Sequence, residues 1–468
     1  MITQKGAEFY AWSVKDTAVK ITSYYARVQG EITTYGNKII QYGHCWSLSE
    51  NPLVGVDTLM TIFNTTDFDT TATKSVSYES RMSSLLASKD YYVRSYIITG
   101  GEGNNPVDTG YNVVNLKIST PDPINVWYEQ TGGGRPSARY DAVCFNKGDT
   151  VYFGTGNQRY IGASTAYLTK DFWQYDPVED AWAQLTAFPT GAYEGITNAV
   201  GFALTFYYAP TEKYVNRLYM GLGDFIGDDS YTHKTNHFWE YNLETNTWKS
   251  VENFQGLPTT ESASFAIKDK AYVGTGSYNS PQNAWYLFDP VTEYDAYDTR
   301  PSWRQIETPG GSSGSGRTGA IAFSVNNRGY FGLGRTELNQ FLTDFYEFDP
   351  NSGTWGQMKE FPGSGRANAV AFPIDDQGFV GTGDNIVWSG ETVVSGDSMS
   401  DFYRYDPFNN VWYPLADYTT NDVDNLVPKK VTRAVGFYSP STDLGYIGFG
   451  YVVEGTDHMQ QDIWYYRP

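Results

Sequence analysis

The stretch GYFGLGRTELNQFLTDFYEFDPNSGTWGQMKEFPGSGRANAVAF, from Gly329 to Phe372, decides how the rest of the chain is read. A near copy follows at once, GFVGTG…SDFYRYDPFNNVWYPL, from Gly378 to Leu415. Each copy has a short apolar run closed by a split glycine pair. A variable stretch comes next, then an aromatic run ending in Asp-Pro, a turn and a tryptophan. A chain that repeats itself at this interval is an array of one supersecondary unit.

Working outward from that stretch, six glycine pairs stand in register. They are VYFGTG (Gly154, Gly156), LYMGLG (Gly221, Gly223), AYVGTG (Gly274, Gly276), GYFGLG (Gly332, Gly334), GFVGTG (Gly381, Gly383) and GYIGFG (Gly448, Gly450). The aromatic runs DFWQYDP, HFWEYNL, AWYLFDP, DFYEFDP, DFYRYDP and DIWYYRP follow them. Trp182, Trp248, Trp303, Trp355 and Trp412 come after the turns. A small-residue strand such as RYDAVCF or RANAVAF precedes each pair. Turns such as DPNSGTW have a physical basis: Pro presets one dihedral, and Asn, Asp or Gly accepts the next. Four short strands per unit around an axis make a propeller blade, stable only when neighbours cover both faces.

The sixth unit ends at DIWYYRP without its tryptophan strand. INVWYEQTG, carrying Trp127, lies ahead of the first unit and supplies the missing strand. The expectation is a closed six-bladed β-propeller over 121–468 with blade six completed by the strand around Trp127. This pattern resembles the kelch repeat, over about 123–468. It departs from that family in one respect: the doublet is G-x-G in all six units where kelch repeats have G-G.

Residues 1–120 lack the repeat and show alternating strands, among them VKITSYYARVQGEI and DYYVRSYIIT, the pattern of a β-sandwich. LLASKDYYVRSY, with Leu86 six residues ahead of Tyr92, resembles the corner of fibronectin type III domains. The module is similar to those of Bacteroidetes surface proteins. That resemblance implies an exported protein tethered at the outer membrane or held in the periplasm, its leader and lipid anchor lying outside this chain. The fold class expected is therefore all-β: an Ig/fibronectin-III-like sandwich followed by a kelch-type propeller.

Composition agrees with strands and tight turns, with 17% aromatic residues and 47 glycines in 468 residues. A formal net charge of −20 argues against nucleic acid as a partner, because phosphates need a basic face. The two cysteines, Cys45 and Cys144, fall in different expected domains, so buried thiols are the reading and not a disulfide. No run of about 18 apolar residues stands out as a transmembrane helix.

Some kelch propellers hold copper beside a tyrosyl radical, which needs two imidazoles. Of the four histidines here, His44 lies in the sandwich, His233 and His237 in one loop of blade two and His458 in blade six. No copper or other cofactor is expected. His233 and His237 read as solvated loop histidines, although Asp224, Asp228 and Asp229 nearby could hold an adventitious calcium. GGSSG around Ser312 formally matches a nucleophile elbow but sits in a Gly/Ser-rich turn between units.

Two groups remain as candidate ligand residues. Arg139, Arg317, Arg366 and Arg433 each precede an innermost strand, where a propeller brings residues towards its axis. They read either as a basic pocket for an anionic sugar or carboxylate, or as structural pins paired with backbone carbonyls or with an acid in the next blade. The loops after the glycine pairs carry Tyr160, Tyr167, Phe225, Tyr231, Tyr278, Phe341, Trp388 and Tyr451, a composition suited to sugar stacking or protein contact. The function expected is non-catalytic binding of a glycan or a protein on this face. One alternative, implied by the resemblance to a sialic acid mutarotase family of six-bladed kelch-type proteins, is a carbohydrate-active enzyme with Glu194 or Glu261 as acid or base. The other is a structural subunit of an outer-membrane assembly.

Overall fold

The computed structural model describes residues 16–21, 26–34, 39–56, 59–64, 74–82, 85–86, 89–99, 108–120, 126–159, 161, 167–189, 195–208, 211–290, 300–310, 314–389, 392–422, 425–428, 430–453 and 459–467. The chain is all-β, with no α-helix among the described residues. It divides into two compact units, 1–124 and 125–467.

The larger unit is a β-propeller of four-stranded antiparallel sheets. Sheet one, for example, runs Val143–Lys147, Thr150–Gly154, Phe172–Asp176, Ala181–Leu185 in spatial and chain order. Sheets two to five repeat that order, with innermost strands Val200–Tyr208, Ala263–Ile267, Ile321–Val325 and Val370–Ile374. Sheet six takes Val435–Ser439, Leu444–Gly448 and Ile463–Arg467 from the C-terminal end and Val126–Gln130 from the other end of the unit. Trp127 there stands opposite Tyr466. Each innermost strand lies against the next, and the sixth lies against the first.

Adjacent sheets hold the unit together through the aromatic positions of the repeat. Phe202, Tyr219 and Phe238 of sheet two pack with Phe288 and Trp303 of sheet three. Trp127 packs with Phe372, Phe402 and Tyr418 in the equivalent layer between sheets five and six. Each such ring contributes about 2–3 kcal/mol by leaving water.

The split doublet has a steric cause. The residue between the glycines is left-handed in every sheet: Thr155, Leu222, Thr275, Leu333, Thr382 and Phe449, with φ between 58° and 61°. The second glycine follows at a φ that L-residues avoid, and a Cβ on Gly223 would stand 2.4 Å from the carbonyl oxygen of Thr197. Close approach of the inner turn, not the left-handed residue before it, holds glycine at this position.

In the smaller unit, Thr17–Ile21, Ala26–Thr34 and Lys74–Met82 form one sheet, and Ile39–Ser47 and Asp90–Thr99 centre another. Both sheets contribute to one core of Ala26, Val28, Trp46, Met82, Leu85, Tyr91 and Val93. Leu86 and Tyr92, expected at a corner, are not the buried pair; the residues before them are. Leu85 and Tyr91 are buried, Leu86 is 54% exposed, and the Tyr91 hydroxyl accepts the Leu86 amide hydrogen at 2.8 Å. Alternation along a strand makes a slip of one residue an exchange of faces.

Candidate functional site

The residue two ahead of each innermost strand turns its backbone left-handed. These residues are Asp141, Asn198, Glu261, Gly319, Asn368 and Arg433, with φ from 53° to 60°. They form a ring at one mouth of the axial channel. Backbone bonds run round it: Asn198 N–H to Asp141 C=O at 3.1 Å, Asn368 to Gly319 at 2.8 Å, Arg433 to Asn368 and Asp141 to Arg433 at 3.2 Å. A left-handed conformation costs a side-chain-bearing residue about 1 kcal/mol, less for Asn and Asp. Glycine takes it freely, yet only one of the six positions is glycine. The other five carry polar side chains to the axis at that cost.

A second ring stands beside the first, made by the residue after each G-x-G: Asn157, Asp224, Ser277, Arg335, Asp384 and Tyr451. Antiparallel bridges join it to the residues before the first ring, such as Tyr140 to Asn157 and Thr432 to Tyr451. Sheets two and five share a device here. Asn368 Nδ2 donates to Asp384 at 3.1 Å, and the hydroxyl of Thr432 in the next sheet donates to the same carboxylate. Asp224 accepts from Thr260 of the next sheet in the same way. The Asn198 amide lies between two carboxylates, Asp141 at 3.2 Å and Asp224 at 3.4 Å, and its nitrogen can serve one at a time.

Arg433 crosses the mouth. Its Nη1 donates to Asp141 of sheet one at 2.7 Å, and its Nη2 lies 3.3 Å from Glu261 of sheet three. Burial pushes the Asp141 carboxyl up to about 6, with Arg433 opposing and the Glu261 charge assisting. Burial pushes Glu261 the same way, but Arg433 overcomes it and holds Glu261 below the ordinary range. One carboxyl raised and one lowered from their ordinary ranges thus flank a single guanidinium. The mouth is a cavity of about 190 Å³ lined by the first ring and the small residues below it, among them Ala142, Ser262 and Ala434.

The four arginines singled out in the sequence part company here. Arg139, Arg317 and Arg366 are buried and do not line the mouth. Each grips the Asp that opens the third strand of its own sheet: Nη2 to Asp171 at 2.8 Å, to Asp344 at 2.7 Å and to Asp401 at 2.7 Å. Each also donates to the carbonyl of Thr155, Leu333 or Thr382. They are structural pins. Arg433 is not their equivalent, because Val431 occupies that place in sheet six and Arg433 stands two residues on, level with Asp141 and Asn368.

Of the other candidates, Tyr451 belongs to the second ring, buried edge-on against Tyr140 at 5.3 Å. Tyr231 is 73% exposed beyond the hairpin Asp224–Ile226/Thr232–Lys234, and Trp388 lies on the hairpin Val387–Ser389/Thr392–Ser395. Neither lines the mouth. Tyr160, Glu194, Ser312 and His458 lie outside the described residues. His233 bonds Asp229 at 2.9 Å. Cys45 and Cys144 are unpaired thiols whose acidity burial suppresses. Asp141, Asn198, Asn368 and Asp384 carried no signal in the motif reading, and Asp224 was read only as a possible calcium ligand. Their signal was positional: the residue two ahead of each small-residue strand and the residue after each G-x-G.

The fold and this mouth define the class: a β-propeller with a mixed-charge polar site on its axis. No family model and no curated relative matches the sequence. Among solved structures, the one titled "Structure of YjhT" superposes with a TM-score of 0.52 at 16% identity, over 70% of this chain and 95% of that one. Kuenenia stuttgartiensis hydrazine synthase aligns at a TM-score of 0.34 and 10% identity, over 69% of this chain and 77% of that one. The first likeness supports the β-propeller fold.

Proposed function

We propose that the chain is a binding protein whose axial mouth takes a small polyhydroxylated ligand, a neutral sugar before an acidic one. The carrying observation is the ring of five polar side chains held in left-handed backbone around the axis. Left-handed backbone recurs at turns through the propeller, and at this ring it brings polar side chains together at one point. Hydroxyls of a sugar suit the ring, since Asp141, Glu261, Asp224 and Asp384 accept and Asn198 and Asn368 do both. An anionic sugar is a poorer fit than the four arginines promised, because three are pins and Arg433 is already held by two carboxylates.

The wider reading accompanies this one: a six-bladed kelch-type propeller after a fibronectin-III-like sandwich, exported to the cell surface or periplasm. A protein ligand on the exposed loop aromatics, or a place in an outer-membrane assembly, belongs to it as an alternative role. One observation favours an enzyme as second reading, namely Asp141 near neutrality beside ionised Glu261. Such a pair could protonate the ring oxygen of a reducing sugar while taking the anomeric hydroxyl proton. The C1–O5 bond opens to the aldehyde and recloses on the other face, as in mutarotation.

The test is saturation-transfer NMR against a panel of neutral, amino and acidic monosaccharides, with Arg433→Met as control. Binding by neutral members, weakened tenfold or more in the variant, supports the reading. Silence across the panel, or binding indifferent to Arg433, rejects it. Acceleration of anomer exchange that Asp141→Asn abolishes establishes the enzymatic form.

A further inference from the structure

A second cavity opens beside the mouth, between the loops of sheets one and two. It measures about 230 Å³ and shares Asp141, Asn198 and Arg433 with the mouth. Its remaining walls differ in character. Ile161, Leu168, Ile226 and the ring of Tyr140 supply its apolar wall, with Asn157, Thr197, Asp224 and Thr232 beside them. Leu168 and Tyr140 are buried, at 7% and 5% exposure. The elements behind it are built into the propeller. Asn157 bridges both Tyr140 and Leu168, and Ile226 is paired with Thr232 in the hairpin after the second G-x-G.

A ligand seated on the polar ring therefore has a recess with an apolar wall within reach, beside sheets one and two. A dry apolar cavity of about 150 Å³ is large enough to take up benzene, so this recess accommodates a group of that size. Its polar groups, Asp141, Asn157, Asn198 and Asp224, suit hydroxyls at the rim, and the wall of Tyr140, Leu168 and Ile226 suits an apolar group. Lateral and axial cavities together describe a ligand with a hydroxylated part and an apolar part joined at the rim formed by Asp141, Asn198 and Arg433.

Resting on the sugar-binding function proposed above, we infer that the ligand is a sugar bearing an apolar substituent of about phenyl size, and that the recess walled by Tyr140, Leu168 and Ile226 holds that substituent. The recess then sets specificity among sugars that the polar ring alone accepts about equally. Ile226 is a specificity residue in this account, because its side chain meets the substituent and no hydroxyl.

Matched pairs of methyl and phenyl glycosides of the same neutral sugars, titrated calorimetrically against the whole protein, test this. The phenyl member of a bound pair should bind tenfold or more tightly. Ile226→Asn should remove that advantage and leave the methyl glycoside affinity within twofold. Leu168→Ala, which enlarges the recess without adding polarity, should reduce the advantage less. Equal affinity of methyl and phenyl members in the unaltered protein overturns the inference while leaving the sugar site standing. So does an advantage that survives Ile226→Asn. Binding of neither member of any pair overturns the sugar-binding function, and this inference with it.

Discussion

Arg433 and Arg366 each precede an innermost strand, and a displacement of two residues gives them opposite roles. Arg366 is fully buried under Phe361, with its guanidinium 4.8 Å from the ring centre and gripped by Asp401. Removing one partner of a buried pair strands the other. Arg366→Ala is therefore expected to lower unfolding free energy by about 3–5 kcal/mol, while the folded fraction keeps its ligand affinity, as denaturant unfolding and titration will show. At the axis the sign of a pH effect follows from Asp141. Its folded value of about 6 lies above the ordinary 3.8, so the native state holds this proton more tightly. The stability it contributes is present below about pH 4 and lost as pH rises through about 6. Asp141→Asn should flatten the decline in stability between those limits by about 3 kcal/mol, measured by urea unfolding across the pH range.

Among elements, the outermost strands show how neighbouring sheets are latched. The indole Nε1 of Trp248 donates to the Thr186 carbonyl of the preceding sheet at 2.9 Å, Trp303 to Glu252 at 3.1 Å, Trp355 to Glu307 and Trp412 to Lys359 at 2.9 Å. Trp127 reaches Ala416 at 3.4 Å. Trp182, at the junction between sheets six and one, has a buried Nε1 with no acceptor among the described residues. A hydrogen bond of this kind contributes about 1 kcal/mol net. Trp355→Phe should accordingly cost about 1 kcal/mol more than Trp182→Phe, read from paired chemical denaturation curves. The Arg–Asp pins were legible at this scale. Arg139, Arg317 and Arg366 occur in the sheets whose third strand opens with Asp171, Asp344 and Asp401, whereas Ile196 and Thr259 face His237 and Ala284.

For the whole propeller, closure depends on a strand from the far end of the unit. Val126–Gln130 completes sheet six, and Trp127 is fully buried in its core. The junction with sheet one lacks the tryptophan latch, but Asp149 accepts from Ser441 N at 2.6 Å, from its hydroxyl at 2.7 Å and from Ser439 Oγ at 3.1 Å. A chain begun at residue 121 should keep a cooperative melt. One begun at residue 132 loses the strand and exposes the edge of Ile463–Arg467, so it should melt at least 10 °C lower or aggregate. Differential scanning calorimetry with light scattering separates these outcomes.

The sequence by itself determined the repeat, the four-strand unit and the places of its glycines, aromatics and turns, because these obey local rules of period, dihedral and sterics. It also carried both rings of the site, at the residue two ahead of each innermost strand and the residue after each G-x-G. Local pattern could not say which side chains meet across the axis. Asp141, Glu261 and Arg433 are 292 or fewer residues apart in pairs that only ring closure brings to within 3.3 Å. A difference of one residue puts Leu85 and Tyr91, not Leu86 and Tyr92, in the core, and a displacement of two separates Arg433 from the pins. Register and the convergence of distant strands are settled by packing, and packing belongs to the tertiary structure.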